Sequence, residues 1–255
     1  GGALPGRIAA VTFDVWDTIL RDETDEPKRR AQGFSSKPEE RRHLVFEALR
    51  RHDPVAREVV DAAYEVVDAA FDKMWKEHYV TWPIGQRLAV LLKGLGRRLP
   101  EDDMDELIRR HEEMELVVRP DYIDGVREAL AELSKRYKLF VVSDTIFTPG
   151  RVVRRLLESY DLARCFSGFA FSDEVGRSKP HRRMFETASR ALAVPFERMV
   201  HVGDREKNDV EGPKALGMRV VLFTGVRPVP ESGTKADAVC QRHADLPATV
   251  DGLAS

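Results

Sequence analysis

Several features that mark special classes of protein are scarce or missing in this sequence. Its two cysteines, Cys165 and Cys240, lie far apart and form no Cys-x-x-Cys motif, which argues against a disulfide framework or a zinc ribbon. No apolar run approaches the roughly 20 residues that a bilayer-spanning helix needs. Neither sign of charge is in excess, since 41 Lys and Arg residues face 43 Asp and Glu residues. We therefore expect neither nucleic acid nor a membrane as a partner.

The length and composition are those of an ordinary globular protein. The 255 residues correspond to one or two domains at roughly 150 residues per domain. With 42% hydrophobic and 33% charged residues, the chain is not expected to be wholly disordered. The segment Gly1 to Gly6 does not resemble a signal peptide, and the few cysteines fit a reducing compartment. We expect a soluble, cytoplasmic protein, and the sequence does not indicate its oligomeric state.

The first half of the chain divides into a strand, a loop and a long helical region. Ile8 to Phe13 is a short apolar run typical of a strand buried on both faces. The charged stretch from Arg21 to Ser36 predicts a mobile loop. From Pro38 to Val118 every apolar pattern is helical, which predicts a compact bundle. The stripes expected to face its core are Val55, Val59, Ala63, Val66, Ala70 and Met74, then Ile84, Leu88, Leu91 and Leu95.

After Pro120 short apolar strands alternate with helical patterns. This alternation predicts right-handed crossovers and a parallel sheet with helices on both faces, an α/β Rossmann-like fold. We expect residues 7–21 and 119–255 to form this α/β core, and residues 22–118 to be a helical insertion. The expected further strands are Leu139 to Val142, Phe169 to Phe171, Met199 to Val202, Val220 to Phe223 and a short edge strand at Ala236 to Val239, followed by a terminal helix.

Polar residues collect directly after the predicted strands, where open α/β sheets bind their ligands. Asp14 and Asp204 could together hold Mg²⁺, which favours oxygen ligands. A carboxylate beside a cation can attack an anionic substrate. Ser143 offers a hydroxyl and Lys179 a point charge to a phosphoryl oxygen. These residues predict one site for a small anionic substrate.

The same motifs resemble those of the haloacid dehalogenase-like hydrolase superfamily. The four motifs occur in order as Asp14 to Thr18, Ser143, Lys179-Pro180, and Gly203-Asp204 with Asp209, and the helical insertion resembles the family's cap. The resemblance implies that Asp14 is the nucleophile of a covalent aspartyl intermediate. It further implies that Asp14, the Trp16 backbone carbonyl and Asp204 bind Mg²⁺. Ser143 and Lys179 would then bind the phosphoryl group. Asp209 would support the metal site without binding the ion directly.

One position departs from the family's phosphatases. They usually carry an acid aspartate two residues after the nucleophile, whereas this chain has Trp16, and dehalogenase members have an aromatic residue there. Dehalogenases need no Mg²⁺ and tend to lose the Gly-Asp pair that is present here at Gly203-Asp204. The favoured prediction is a Mg²⁺-dependent phosphatase; the alternatives are a metal-independent 2-haloacid dehalogenase and a weakly catalytic binding module.

Other polar and aromatic residues have structural interpretations. Thr18 is expected to orient the nucleophile loop through its hydroxyl, and Asp17 to point away from the substrate, although it is the first candidate for a replacement acid. Asp144, beside Ser143, is a candidate substrate-binding residue. The remaining residues are assigned to structure: His201 and Trp75 to the core, and Arg41-Arg42 and Lys28 to Arg30 to a solvated surface.

Overall fold

A single parallel sheet organises the chain, of which the computed structural model describes residues 7–254. The N-terminal segment that was examined for a signal peptide, Gly1 to Gly6, lies outside these residues. The six strands lie in the order β3-β2-β1-β4-β5-β6, and every pair of neighbours is parallel. They are β1 (Ala10–Phe13), β2 (Lys138–Ser143), β3 (Gly168–Phe171), β4 (Met199–Gly203), β5 (Arg219–Phe223) and β6 (Ala238–Cys240). This confirms the predicted α/β fold.

Between β1 and β2 the chain forms a helical insertion, the name used below for residues 25–117. It has its own hydrophobic core, drawn from residues between Leu44 and Met114. Its helices are α1 (Asp25–Ala31), α2 (Lys37–Arg50), α3 (Arg57–His78), α4 (Ile84–Gly94), α5 (Glu101–Glu112) and α6 (Met114–Val117).

The prediction of a mobile loop from Arg21 to Ser36 was wrong, because α1 occupies the middle of this stretch. This helix begins with Asp25 and Glu26 and has basic residues in its last turn, a distribution that suits the helix dipole. Asp25 is fully buried and pairs with Lys37. The charged residues were mistaken for solvated loop because their partners lie farther along the chain.

The apolar stripe predicted for α3 was wrong by one residue. Val59 and Val66 are 50% and 69% exposed, and the side chains that face the core are instead Val60, Tyr64, Val67 and Phe71. Both sets repeat every three or four residues, so periodicity alone could not separate them. In α4 the prediction was right for Ile84, Leu88 and Leu91, which are buried.

The remaining helices cover both faces of the sheet. Alternate residues of a strand point to opposite faces, so that Val11 and Phe13 belong to one core cluster and Ala10 to another. The first cluster packs under α7, α8 and α12, and the second under α10. These helices span α7 (Val126–Ser134), α8 (Gly150–Ser159), α9 (Ser172–Val175), α10 (Arg182–Leu192), α11 (Gly212–Lys214) and α12 (Leu246–Ala254).

The two segments that join the insertion to the sheet run side by side. Ile123 N–H donates to the Ile19 carbonyl and Arg21 N–H to the Asp121 carbonyl, each at 2.8 Å. Leu20 and Tyr122 form an antiparallel bridge between these bonds. The chain therefore leaves and re-enters the sheet region at one place. Within residues 7–254, no helix is long and apolar enough to cross a membrane.

Candidate active site

Three neighbouring strands end at the same edge of the sheet and carry the predicted site residues there. Phe13, the last residue of β1, is in register with Val141 of β2 and Val202 of β4. Asp14 follows β1, Ser143 closes β2 and Asp204 follows β4, so the register brings these three residues together. All three are buried.

Three side chains hold the Asp14 carboxylate. Lys179 Nζ lies 2.9 Å from Oδ1, and Ser143 Oγ donates to the same oxygen at 3.2 Å. Thr18 Oγ1 donates to Oδ2 at 3.3 Å, as expected for a residue that orients this loop. These three contacts fix the orientation of the Asp14 carboxylate at the end of β1.

The loop after Asp14 is fixed by its own hydrogen bonds. The N–H groups of Thr18, Ile19 and Leu20 all donate to the Val15 carbonyl. Asp17 has a positive φ of 60° and accepts the Asp22 N–H at 2.9 Å through Oδ1. Asp17 also lines a cavity of about 250 Å³ in front of Asp14. One of its oxygens therefore accepts a hydrogen bond within the loop while the side chain lies at the cavity wall.

Lys179 joins two carboxylates, since its Nζ lies 2.9 Å from Asp14 Oδ1 and 2.6 Å from Asp209 Oδ1. Burial alone would lower the pKa of this amine, but the negative charges of Asp14, Asp209 and Asp144 raise it overall. The ammonium is thus retained at every physiological pH.

Asp209 is placed by a π-helical turn over Glu206–Glu211 and lies under the backbone of Gly203. A Cβ at Gly203 would overlap its carboxylate, so only glycine fits there. The second oxygen of Asp209 accepts the Arg205 N–H at 3.1 Å. Burial raises the pKa of Asp209, but Lys179 and His201 outweigh it and hold the pKa below its usual range.

His201 has a role that sequence reasoning missed. It is fully buried, as predicted, but its Nε2 lies 2.9 Å from Asp209 Oδ1 and its Nδ1 lies 2.6 Å from Thr12 Oγ1. Burial lowers the pKa of His201, which favours the neutral ring. A neutral ring that donates from Nε2 must accept at Nδ1, so the Thr12 hydroxyl donates there. The signal in the sequence was a pair of polar residues, Thr12 and His201, in otherwise apolar strands that pair in register.

The third carboxylate, Asp204, is incompletely satisfied. Arg227 Nε lies 3.2 Å from Oδ2, whereas Oδ1 is buried without a hydrogen-bond partner among residues 7–254. Burial and the nearby charges of Asp14 and Asp209 raise the pKa of Asp204 to about 9. One oxygen from each of the three carboxylates lies within 4.8 Å of the others. Buried carboxylates at this separation repel one another unless a cation or a proton intervenes, so the residues fit a divalent cation.

A cavity of about 250 Å³ opens in front of these carboxylates. The sheet side of its wall includes Asp14, Lys179 and Asp204, and the other side is formed by residues of the insertion and by Phe147 and Thr148. Trp16 lines it as well and packs against the main core. Most of the predicted site residues therefore line one cavity, and Ser143 and Thr18 lie behind Asp14, to which they donate hydrogen bonds.

Trp75 was assigned to the core of the insertion, and this was wrong. It lines the cavity, and its Nε1 donates to Asp144 Oδ2 at 2.8 Å. The other oxygen of Asp144 accepts the Lys179 N–H at 2.9 Å. Burial raises the pKa of Asp144 to about 6. Asp144 thus links Trp75 of the insertion to the backbone of Lys179, in the loop before α10.

The assignment of Arg41 to a solvated surface was also wrong. Only 9% of the residue is exposed, it lines the cavity, and its guanidinium carbon lies 4.3 Å from the centre of the Phe147 ring. Its neighbour Arg42 lies 3.6 Å from Asp68, in an ion pair. Helical spacing places the two arginines about 100° apart, so only one of them faces the cavity.

Comparison with known proteins agrees with this geometry. The family model described as haloacid dehalogenase-like hydrolase matches residues 8–217. A glyceraldehyde 3-phosphate phosphatase of Pyrococcus furiosus is 32% identical over 102 residues, 40% of this chain and 41% of that protein. A phosphoserine phosphatase of Thermus thermophilus is 30% identical over 125 residues, 43% of this chain and 50% of that protein. The matched segments thus span half or less of these relatives.

Solved structures share the fold along nearly the whole chain. A 2-haloacid dehalogenase of Pseudomonas syringae is similar with a TM-score of 0.70 and 21% identity, covering 97% of this chain and all of that one. A HAD phosphatase of Thermococcus onnurineus gives a TM-score of 0.64 and 22% identity, covering 96% of this chain and 99% of that one. With the family match, the sheet order and the motifs in place, the chain belongs to the haloacid dehalogenase-like hydrolases.

Proposed function

We propose that this hydrolase is a Mg²⁺-dependent phosphatase that acts on a small phosphorylated metabolite through an aspartyl-phosphate on Asp14. The observation that carries the proposal is the cluster of Asp14, Asp204 and Asp209, in which a buried oxygen of Asp204 lacks a partner among the described residues. Asp209 pairs with Lys179, but a metal-independent enzyme has no such need for Asp204, a further buried carboxylate beside its nucleophile. The relatives named phosphatases support the same reading.

Each residue of the site has a separate role in the proposed reaction. Asp14, the Trp16 backbone carbonyl and Asp204 would hold Mg²⁺, which when bound neutralises charge on the phosphoryl oxygens. Ser143 and Lys179 donate hydrogen bonds to those oxygens. Asp209 keeps Lys179 in place, and Thr18 keeps the Asp14 carboxylate turned towards the substrate. Asp144 holds the Lys179 backbone at the edge of the substrate site.

The reaction proceeds in two displacements at phosphorus. An oxygen of Asp14 forms a bond to phosphorus as the bond to the leaving oxygen breaks, and the leaving group takes both electrons of that bond. Water then attacks phosphorus and restores the Asp14 carboxylate with release of inorganic phosphate. Lys179 and Ser143 contact the oxygens on which negative charge grows in both steps.

We further propose that the insertion is a cap, with residues 22–118 as one unit and residues 7–21 and 119–255 as the other. Its separate hydrophobic core and the paired segments at its base support this division. The cap supplies Lys37, Arg41 and Trp75 to the cavity wall, so it shields the phosphoryl group from bulk water.

A panel of phosphate esters assayed with Mg²⁺ and with EDTA tests the function. We expect hydrolysis that EDTA abolishes and Mg²⁺ restores, and no hydrolysis by Asp14→Asn. Activity that survives chelation would contradict the metal-dependent mechanism. An adduct trapped at Asp14 with beryllium fluoride would exclude a purely binding role.

The metal site has an independent readout in thermal unfolding. A ligand that binds only the folded state raises its stability, so Mg²⁺ at millimolar concentration should raise the Tm. Asp204→Asn should remove this shift, and Asp72→Asn, on the exposed face of α3, should keep it. An equal shift in both variants would place the cation elsewhere.

Trp16 supports a second candidate function, hydrolytic dehalogenation of a 2-haloacid. It lines the cavity where the phosphatases usually carry their acid. In that reaction Asp14 attacks carbon and expels halide, and water cleaves the resulting ester. Halide release from 2-chloropropionate in the presence of EDTA would favour it, and no release across a panel of haloacids would remove it.

A further inference from the structure

A buried guanidinium, that of Arg41, lies on the insertion side of the cavity and forms no ion pair with any of residues 7–254. Arg41 is nine-tenths buried, and its Nε has no hydrogen-bond partner in the part of the chain that the structure describes. Its contact with Phe147 covers one face of the guanidinium but satisfies none of its N–H groups. Removing a charge from water without a direct partner is unfavourable, so this arrangement is retained at the expense of stability.

Of the carboxylates near Arg41, Asp68 pairs with another arginine, and Glu115 lies near Lys37. Lys37 Nζ lies 2.9 Å from Asp25 Oδ2 and 3.8 Å from Glu115 Oε1. Thr148 donates its hydroxyl to the same Glu115 oxygen. Asp68, on the other side, pairs with Arg42 at 3.6 Å. Glu115, whose Oε2 is buried without a hydrogen-bond partner among residues 7–254, and Glu23 attract Arg41 through their charge, but neither forms an ion pair with it.

A second buried arginine increases the positive charge at this wall. Arg87 is 6% exposed, its Nε also has no partner among residues 7–254, and its guanidinium carbon lies 4.9 Å from the centre of the Phe147 ring. Burial lowers the pKa of Arg87 to about 10, which still leaves it charged at neutral pH. Phe147 thus has two guanidinium groups at its ring, of which Arg41 reaches the cavity.

We propose that Arg41 binds a carboxylate at the end of the substrate remote from its phosphoryl group, so that the substrates are phosphate esters of small hydroxy acids. The inference rests on the proposed function for the phosphoryl end only. A guanidinium matches a carboxylate with two parallel hydrogen bonds, and a neutral substrate would leave the charge unpaired. The cavity of about 250 Å³ is smaller than those that hold drug-sized ligands, which limits the substrate to a few carbon atoms.

Matched pairs of esters test this selectivity. Phosphates of hydroxyacetate, 3-hydroxypropionate and 4-hydroxybutyrate are each compared with the corresponding carboxamide, which has the same shape and no charge. We expect kcat/KM to favour the acid by about 10–100-fold for at least one length. Arg41→Gln should remove most of this preference, and Arg41→Lys should restore part of it. Arg42→Gln is the matched control, because Arg42 is already paired with Asp68, and it should keep the preference.

Binding separates this inference from the proposed function. Asp14→Asn, and the same variant with Arg41→Gln, are titrated calorimetrically with each acid and carboxamide, a measurement that needs no turnover. Tighter binding of the acid that depends on Arg41, together with no hydrolysis of any ester by the wild-type protein, would refute the phosphatase and keep the carboxylate site. Equal affinities for acid and amide at all three lengths, or an acid preference that Arg41→Gln leaves unchanged, would overturn the carboxylate site.

Discussion

The sheet side and the insertion side of the cavity differ in how their buried charged side chains are paired. At the sheet edge, Lys179 lies between Asp14 and Asp209, and His201 is a further hydrogen-bond partner of Asp209. At the insertion wall, Arg41 and Arg87 are buried with unpartnered Nε atoms in the described part of the chain. Lys179 is thus fully paired within the protein, whereas Asp204 would need a cation and Arg41, as proposed above, an anion.

Under the proposed function, this difference assigns the chemistry to the sheet side of the cavity and the selection of the substrate to the insertion side. A preorganised set of charges lowers the cost of reaching the transition state, because no group has to move as the reaction proceeds. An unsatisfied cation contributes nothing until a ligand pairs with it, so its effect appears in the choice of substrate. In this protein the first set lies after the sheet strands and the second on the helices.

The largest effect is expected from the residue at the boundary of the two walls, Trp16. Without an acid at this position the leaving group departs unprotonated. The ratio of aryl to alkyl phosphate hydrolysis rates should therefore be about 10²–10⁴-fold larger than in an enzyme that has such an acid. Trp16→Asp should raise kcat/KM on alkyl esters and flatten the dependence on leaving-group pKa. Asp17→Asn serves as the control. If wild-type rates already vary little with leaving-group pKa and Asp17→Asn makes them vary steeply, Asp17 is the acid.

A smaller effect is expected on the free energy of unfolding, which should respond differently to variants on the two sides of the cavity. Lys179→Met leaves Asp14 and Asp209 buried without their cation, and we expect a loss of about 3–5 kcal/mol in the free energy of unfolding. Arg41→Met removes an unpaired buried charge and keeps a similar volume, so stability should stay the same or rise. Urea unfolding in the absence of Mg²⁺ measures both. Similar losses for the two variants would show that Arg41 is paired in solution.

The smallest effect concerns the pH dependence of the insertion's own core. His111 Nε2 lies 2.8 Å from the Tyr64 hydroxyl and its Nδ1 lies 2.8 Å from the Leu107 carbonyl, and burial lowers the pKa of His111 to about 3. Below pH 6.5 the unfolded chain binds a proton there that the folded chain does not, so stability falls as the pH drops, by at most about 1.4 kcal/mol per pH unit.

Replacement of this histidine isolates the effect. His111→Gln can keep both hydrogen bonds and cannot be protonated, so its stability should fall less steeply between pH 6.5 and pH 4 than that of the wild type. His43→Gln, at an exposed position of α2, is the control. Unfolding free energies measured across this range check the prediction, and parallel curves for wild type and His111→Gln would contradict it.

Sequence patterns predicted the sheet well because a buried parallel strand is a local signal. Runs such as Leu139 to Val142 and Met199 to Val202 are apolar throughout, and each was found within one residue of its predicted ends. Asp14 and Asp204 were brought together because the carboxyl ends of parallel strands share one edge. The family resemblance added roles to these residues, and those roles stay predictions.

The features that sequence patterns missed depend on contacts between distant residues. Trp75 and Asp144 are 69 positions apart, and nothing near either residue indicates that they bond. Arg41 has the same neighbours in sequence whether it is exposed or buried. The register of α3 was lost because Val59 and Val60 are equally apolar, and only packing decides between them.

The paired backbone at the base of the insertion has a consequence for how such proteins can diverge. Arg21 and Asp121 are hydrogen-bonded neighbours although 99 residues separate them along the chain. Since the entropy of closing a loop grows only slowly with its length, an insert of another size or fold can begin and end at the same two points at little cost. Selectivity can then be exchanged as a unit during evolution, while Asp14, only a few residues upstream, keeps its position on the sheet.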